Sequence, residues 1–296
     1  MIKPLLLRPN AARDVSYARC AKTRGGRALI RVMENATGRL GLIRRGRGYE
    51  LDVANGQDFW DVMVARYGLS LNVMGGALSL IPQTGPLILV ANHPYGILDG
   101  LMMGQILRQT RGDFRILANS VFHKAEDINR VILPISFDET KAAMRQNLET
   151  RRVALDYLGA GGAIGIFPGG TVSTAAKPFA RPMDPGWRKF TARMVAKSGA
   201  TVVPVFFDGT TSRLFQIASH VHYTLRMGLL IKEFRKRVDS PVDVVIGAPI
   251  GAEVLKHYAH DSKAMMDFLR QSTYELSPRP LACSGYGHEF EEKHRA

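Results

Sequence analysis

Six short apolar runs, at 86–91, 114–118, 131–136, 162–167, 201–207 and 242–247, are separated by longer stretches with helical periodicity. A strand buried on both faces reads as an unbroken apolar run, and a parallel neighbour is reached only through a crossover of a dozen residues or more, usually a helix. The spacing therefore predicts an α/β fold with a mainly parallel sheet and helices on its faces. Two crossovers are plain. Residues 141–158 carry Ala143, Met144, Leu148, Val153, Ala154, Tyr157 and Leu158 before Gly159, and 187–198 carry Trp187, Phe190, Met194 and Val195 before Gly199, each a helix closed by glycine. Residues 253–274 supply one or two closing helices. With 296 residues, 46% of them apolar, the chain has enough material for a full core, and it shows no internal repeat or low-complexity segment.

The first 75 residues differ. Arginines recur at Arg19, Arg24, Arg27, Arg31, Arg39, Arg44, Arg45 and Arg47, interleaved with Ala28, Leu29, Ile30, Val32 and Met33, as in a basic amphipathic helix. Trp60, Val62, Met63 and Val64 follow in a second helical stretch, placed either at a lipid interface or, by the base rate for apolar helix faces, against the main domain. The chain thus divides into a basic amphipathic, membrane-associating helical region at 1–75, a main domain at 76–280 and a polar tail at 281–296. A net charge of +14 suits a polyanion, whether nucleic acid, an anionic lipid surface or an acidic carrier protein. Cys20 and Cys283 lie far apart and make no disulfide framework, which suits a reducing compartment. Met1 to Pro9 is too short and interrupted for a signal peptide, and no run of about 18 apolar residues occurs, so the expectation is a cytoplasmic protein without a membrane span, able to lie on a membrane.

The chemistry-bearing residues follow the apolar runs. Asn92-His93-Pro94-Tyr95-Gly96-Ile97-Leu98-Asp99 begins where the run 86–91 ends, and in open α/β sheets ligands bind beyond the carboxyl ends of the strands. Pro94 and Gly96 put His93 on a turn, and 100–108 reads as a helix. Asp99 is then either a helix N-cap or the partner that orients the imidazole, and the two roles are compatible. The run 163–167 leads into Pro168-Gly169-Gly170-Thr171-Val172-Ser173, where exposed amides of Gly169 and Gly170 and the hydroxyls of Thr171 and Ser173 are candidate donors to an anion. A third block, Val202-Val203-Pro204-Val205, follows a helix ending Ala196-Lys197-Ser198-Gly199-Ala200.

Together these blocks resemble the glycerolipid acyltransferase family, whose members carry a His-Asp motif, a Phe-Pro-Glu-Gly motif and a later Val-Pro strand, over roughly residues 75–250. The resemblance implies a His93 general base that takes a proton from an acceptor hydroxyl attacking an acyl thioester, with Asp99 orienting the ring. Asn92, Phe167, Pro168, Gly169, Gly170, Thr171 and Ser173 would line the substrate or the oxyanion. It further implies acyl carrier protein or coenzyme A thioesters as co-substrate, a lysolipid acceptor, no metal or bound cofactor, and a peripheral position on the inner membrane. Two departures stand out. Five residues separate His93 from Asp99 where the family has four, and Gly169 and Val172 replace the usual Glu and Arg of the Phe-Pro-Glu-Gly block. The glycerol-phosphate grip is therefore altered or absent, and these features are similar to the hemolysin-like branch that O-acylates lyso-aminolipids such as lyso-ornithine lipid.

Other cations are candidates to contact headgroup or donor: His123, Lys124 and Arg130 after the second strand, and Lys177, Arg181, Arg188 and Lys189 after the glycine block. Arg213, Arg226, Lys232, Arg235 and Lys236, interleaved with Leu214, Phe215, Leu225, Leu229 and Leu230, suit a membrane surface or an acidic carrier protein. A serine hydrolase lacks its Gly-x-Ser-x-Gly elbow here, Ser173 being the best serine. The pairs His220/His222 and His257/His260 have no convincing third metal ligand. A non-enzymatic membrane-surface or nucleic-acid-binding protein is the remaining alternative, and no nucleic-acid motif is present.

Overall fold

A computed structural model of the chain describes residues 15–119, 126–136, 140–281 and 285–290. Among these, seven strands form one sheet in the order β1-β9-β8-β2-β5-β3-β4, with β1 Ser70–Gly75, β2 Leu87–Ala91, β3 Arg115–Asn119, β4 Ile132–Ile135, β5 Ala163–Ile166, β8 Thr201–Phe207 and β9 Pro241–Ile246. All neighbouring pairs are parallel except β8 with β9. A hairpin of β6 Thr174–Ala175 and β7 Pro182–Met183 stands outside the sheet. All six apolar runs are strands. The seventh, β1, falls within the stretch read as helical, because an edge strand alternating exposed and half-buried residues shows no apolar run.

The helices are α1 Arg24–Thr37, α2 Arg39–Gly46, α3 Tyr49–Ala54, α4 Phe59–Arg66, α5 Ile97–Arg111, α6 Lys141–Gly159, α7 Lys189–Ser198, α8 Arg213–Val221, α9 Tyr223–Arg237, α10 Ala252–Lys256 and α11 Ser262–Tyr274, with one further turn at Glu126–Asn129. Thr140 caps α6 by accepting from the Ala143 amide, and the left-handed Gly199 ends α7 as expected. Gly159 stays helical. The chain breaks instead at Gly161, whose φ of +85° favours glycine.

Alternation along β2 sends side chains to two cores. Leu87, Leu89 and Ala91 face α5 and the N-terminal helices, while Ile88 and Val90 face Ala154 and Leu158 of α6, Met194 and Val195 of α7, and Met266 and Leu269 of α11. Pro204 is tolerated inside the sheet because its missing N–H faces the break in the β8/β9 ladder, where Gly247 passes and donates only to Pro204 O.

The N-terminal helices are continuous with this core. Tyr17, Ile30, Leu42 and Trp60 all join it, and α1 lies so close to α9 that a Cβ on Gly228 would meet Met33 Sδ at 2.8 Å. Trp60 is resolved as a packing residue: its ring rests on the α5 backbone at Gly104, where a Cβ would come within 2.2 Å of it, with Phe59 and Phe114 at its edges. No helix among the described residues is long and apolar enough to cross a membrane.

Candidate active site

Asn92 fixes the ends of β2 and β8 together. Its Nδ2 donates to Phe207 O at 3.0 Å and its Oδ1 accepts from Phe207 N at 2.7 Å, so the amide braces the site instead of facing it. The chain then turns through Gly96, where φ is +79° and a Cβ would lie 2.6 Å from the Tyr17 hydroxyl, which itself accepts from Ile97 N. Because α5 starts at Ile97, Asp99 is its third residue and not its N-cap. Its carboxylate reaches back all the same: Oδ2 accepts from the amides of Tyr95 (2.7 Å) and Gly96 (3.0 Å). His93 Nδ1 lies 3.0 Å from that same oxygen.

One carboxylate thus caps the helix and faces the imidazole, and the extra residue of the turn is absorbed at Gly96. Asp99 is wholly buried, and its Oδ1 has no hydrogen-bond partner among the described residues. Burial pushes the Asp99 carboxyl above its ordinary pKa, opposed by the His93 ring and the two amides. The Nδ1–H bond is not in line with Oδ2, an alignment that commonly tightens when substrate binds. The imidazole stacks on Phe167 at 4.3 Å between centroids, while the His93 backbone is held on both sides, its N–H by Asp184 Oδ1 (3.2 Å) and its carbonyl by Ser173 N (2.8 Å). A ring held this way presents Nε2 as a proton acceptor.

The glycine block arrives beside it from β5. Pro168 and Gly169 form a tight turn that Gly170 N closes on Phe167 O at 3.0 Å, so the Gly170 amide is spent internally and is not an oxyanion donor in this arrangement. The Gly169 and Thr171 amides have no such bond among the described residues. The Ser173 hydroxyl is also spent, donating to Asp184 Oδ1 at 2.5 Å from a buried position. Thr171 Oγ1 accepts from Arg226 Nη2 at 3.0 Å.

Asp184 and Arg226 are the residues that sequence reasoning missed or misplaced. Fully buried Asp184 collects three donors, the Ser173 hydroxyl, the Trp187 indole (2.9 Å) and the His93 amide, and packs on the α-carbon of Gly169, where a Cβ would meet its Oδ2 at 3.1 Å. Arg226, read as a surface cation, is 1% exposed. Its guanidinium donates to Thr171, to Val172 O (2.7 Å), to Thr174 Oγ1 (2.6 Å) and to Ser219 Oγ (2.9 Å), stacked between Phe215 and Phe290. A carboxylate therefore sits at Gly169 and a guanidinium at Val172, the two positions where this block lacks its charged residues. No local motif could reveal them, because both come from distant segments.

The same helices correct the surface reading of the basic cluster: Phe215, Leu229 and Leu230 are buried with Arg226, leaving Arg213, Arg235, Lys236 and Leu214 exposed. Arg130 lies ahead of β4, at the amino edge of the parallel strands and hence across the sheet from His93, which removes it as a headgroup contact. Lys177 is exposed in the connection between β6 and β7, and His123 and Lys124 lie outside the described residues. His220 Nε2 is 3.0 Å from Ala175 O and His222 caps α9, and among the described residues no group of three or more His, Cys, Asp or Glu is placed to hold a metal ion. The polar tail contributes: residues 285–290 cross the β6/β7 hairpin, with Gly287 N on Asp184 O, His288 N on Thr174 O, and Glu289 paired with Arg188 at 2.8 Å.

The mainly parallel sheet thus carries a His-Asp pair at its carboxyl edge with a glycine turn beside it, an arrangement suited to a group-transfer enzyme. The chain belongs to the Acyltransferase family, whose pattern matches residues 52–279. It is similar to the lyso-glycine lipid O-acyltransferase of Phocaeicola vulgatus, 23% identical over 202 residues that cover 66% of this chain and 69% of the relative. The lyso-glycine lipid O-acyltransferase of Bacteroides thetaiotaomicron is 24% identical over 202 residues, 66% and 71% of the two chains. Among solved structures, the 1-acyl-sn-glycerophosphate (LPA) acyltransferase PlsC of Thermotoga maritima is similar at a TM-score of 0.45 and 17% identity, over 75% of this chain and 83% of that one. The protein is an acyltransferase.

Proposed function

We propose that the protein moves a fatty acyl group from a thioester of acyl carrier protein or coenzyme A to the hydroxyl of a lysolipid, with His93 as general base. The observation that carries this reading is the His93 Nδ1 held 3.0 Å from the buried carboxylate of Asp99, which leaves Nε2 for the acceptor. As the hydroxyl oxygen attacks the thioester carbonyl its proton passes to Nε2. The tetrahedral oxyanion then collapses, the C–S bond breaks, and the leaving thiolate takes the proton from the imidazolium. Asp99 stabilises that imidazolium. The Gly169 and Thr171 amides are the donors available for the oxyanion, each such donor worth about 3 kcal/mol. No acyl-enzyme is needed, and the burial of Ser173 against Asp184 disfavours a hydrolase built on that serine. The names of the two lyso-glycine lipid relatives favour a lyso-aminolipid acceptor over lysophosphatidic acid.

Acyl transfer in mixed micelles, offering lyso-glycine lipid, lyso-ornithine lipid and lysophosphatidic acid with each donor, tests this directly. Transfer to a lyso-aminolipid that drops by about 10²–10⁴ in His93→Ala is expected. Absence of transfer to all three acceptors, or full activity in the variant, would reject the reading.

The same reading places the protein on a membrane surface. The inner face of α8 braces the site, with Gln216 Oε1 accepting from Ala175 N and Ser219 from Arg226, while its outer face exposes Leu214, Ile217 and Val221 at helical spacing beside Arg213. On α1, Leu29 and Val32 are likewise exposed among arginines. Replacing Leu214, Ile217 and Val221 by Ser should lower partition onto anionic vesicles by about tenfold or more, since each removes apolar area that lipid would cover. Unchanged co-sedimentation with vesicles would rule out α8 as the contact.

A further inference from the structure

A cavity of about 520 Å³ is lined by Tyr95, two residues after His93, and by Arg181, Asp208, Arg237, Asp243 and Arg279. It shares a wall with the site: Tyr95 lines it, and the Tyr95 amide is one of the donors holding Asp99. The loop after β8 also lines it, and there Gly209 approaches Tyr95 so closely that a Cβ would lie 1.7 Å from its hydroxyl oxygen. Arg181 lines the cavity three residues before Asp184, the residue that fixes the His93 backbone.

The charges in this cavity do not balance. Both of its carboxylates are engaged, Asp208 by Arg279 at 3.3 Å and Asp243 by the Asn72 amide at 2.7 Å. Three guanidinium groups, Arg181, Arg237 and Arg279, line it against these two carboxylates, an excess of one positive charge, and Arg181 and Arg237 have no ion pair among the described residues. Arg181 is exposed and has no side-chain hydrogen bond among the described residues. Arg237 lies over the Tyr95 ring at 5.4 Å, gives one N–H to Pro241 O, and keeps a buried Nε with no partner. The forked donors of a guanidinium match the geometry of a carboxylate or phosphate oxygen pair.

We infer that this cavity is the acceptor's headgroup site, and that Arg181 and Arg237 bind an anionic group, the carboxylate of an amino-acid headgroup, while the hydroxyl reaches His93. The inference rests on the acyl-transfer reading for its substrate and adds the residues that select it. An amino acid linked to the acyl chain through its nitrogen ends in a free carboxylate, so the cavity supplies the grip that the glycine block lacks.

The test uses the full chain and two measurements. In the first, kcat and KM are determined for lyso-glycine lipid, its carboxyl methyl ester and lysophosphatidic acid, in wild type and in Arg181→Gln/Arg237→Gln. The wild type is expected to prefer acid over ester by about tenfold in kcat/KM, and the double variant to lose that preference through a KM about tenfold higher for the acid. A KM rise of that size confined to lysophosphatidic acid would assign the site to a phosphate headgroup and overturn the carboxylate assignment. A rise confined to the KM of acyl-coenzyme A would place the donor's phosphates there and overturn the inference. The second measurement is binding of N-palmitoylglycine, which has no hydroxyl to acylate, against its methyl ester. Preferential binding of the acid, lost in the exposed single variant Arg181→Gln, supports the cavity even if no acyl transfer occurs, in which case only the catalytic reading fails. Equal binding of acid and ester to the wild type overturns the inference.

Discussion

Asp99→Asn is expected to reduce acyl transfer by about 10³–10⁴ while leaving the melting temperature unchanged or higher. The carboxamide oxygen can take the place of Oδ2 and keep the amides of Tyr95 and Gly96, and the NH₂ falls where Oδ1 already has no partner, so geometry is kept and only charge is lost. The sign of the stability change follows from burial. The Asp99 carboxyl is raised above its ordinary value in the folded chain, so the native state holds its proton more tightly than the unfolded chain does. The wild type therefore loses stability as pH rises from the ordinary carboxylate value through the raised one, and Asp99→Asn does not. Activity runs the other way, rising as the carboxylate forms, with an acid limb above the ordinary carboxylate pKa. Thermal melts at pH 4 and 8 alongside kcat check both. Full activity in Asp99→Asn would remove the carboxylate from the mechanism.

The second large effect is expected at Arg226. No carboxylate lies within ion-pair distance of this buried guanidinium among the described residues, and burial pushes its pKa down to about 9. It remains cationic at neutral pH in a place that disfavours charge. Above about pH 9 the native state binds fewer protons than the unfolded chain, whose arginine keeps its ordinary pKa, so wild-type stability gains from this group as pH rises beyond that point. Arg226→Met removes the burden, and the hydroxyls left behind keep other partners, Thr174 on Val172 O and Ser219 on Phe215 O. Stability at pH 7 should hold or increase. The fork that fixes Thr171 and Val172 is nevertheless lost, and with it the register of the Gly169 and Thr171 amides proposed as oxyanion donors, for an expected fall of about 10²-fold in kcat. Arg226→Lys should not rescue it, since a point charge cannot span four acceptors on two segments. Wild-type kcat in Arg226→Met would show that the guanidinium only packs.

These two residues also mark how far the sequence can be read. Strands buried on both faces, such as Leu87–Ala91 and Ala163–Ile166, announce themselves as apolar runs, and His93 and Asp99 are legible because a local turn joins them. Ser70–Gly75 does not, since an edge strand carries polar residues on its open face. Asp184 and Arg226 were hidden for another reason. Their neighbours in space lie 91 and 55 residues away in sequence, at His93 and Thr171, and one arginine within a basic amphipathic stretch reads as a surface charge until the loop it supports is seen. Ser173 and Gly170 erred in the opposite direction: their donors were visible in the sequence, but what already occupied them was not.

The segment 285–290, which crosses the β6/β7 hairpin and lays Phe290 on Arg226, bears on when the enzyme becomes competent during its synthesis. Chains fold from the amino end as they emerge, and contacts of large sequence separation form late. The His93 turn and most of the sheet can assemble early, but β1 must wait for β9, and the support beneath the glycine block is incomplete until residue 290 has left the ribosome. A nascent chain tethered short of that point should bind lipid through its exposed helices before it can acylate, so attachment to the bilayer would precede the first turnover.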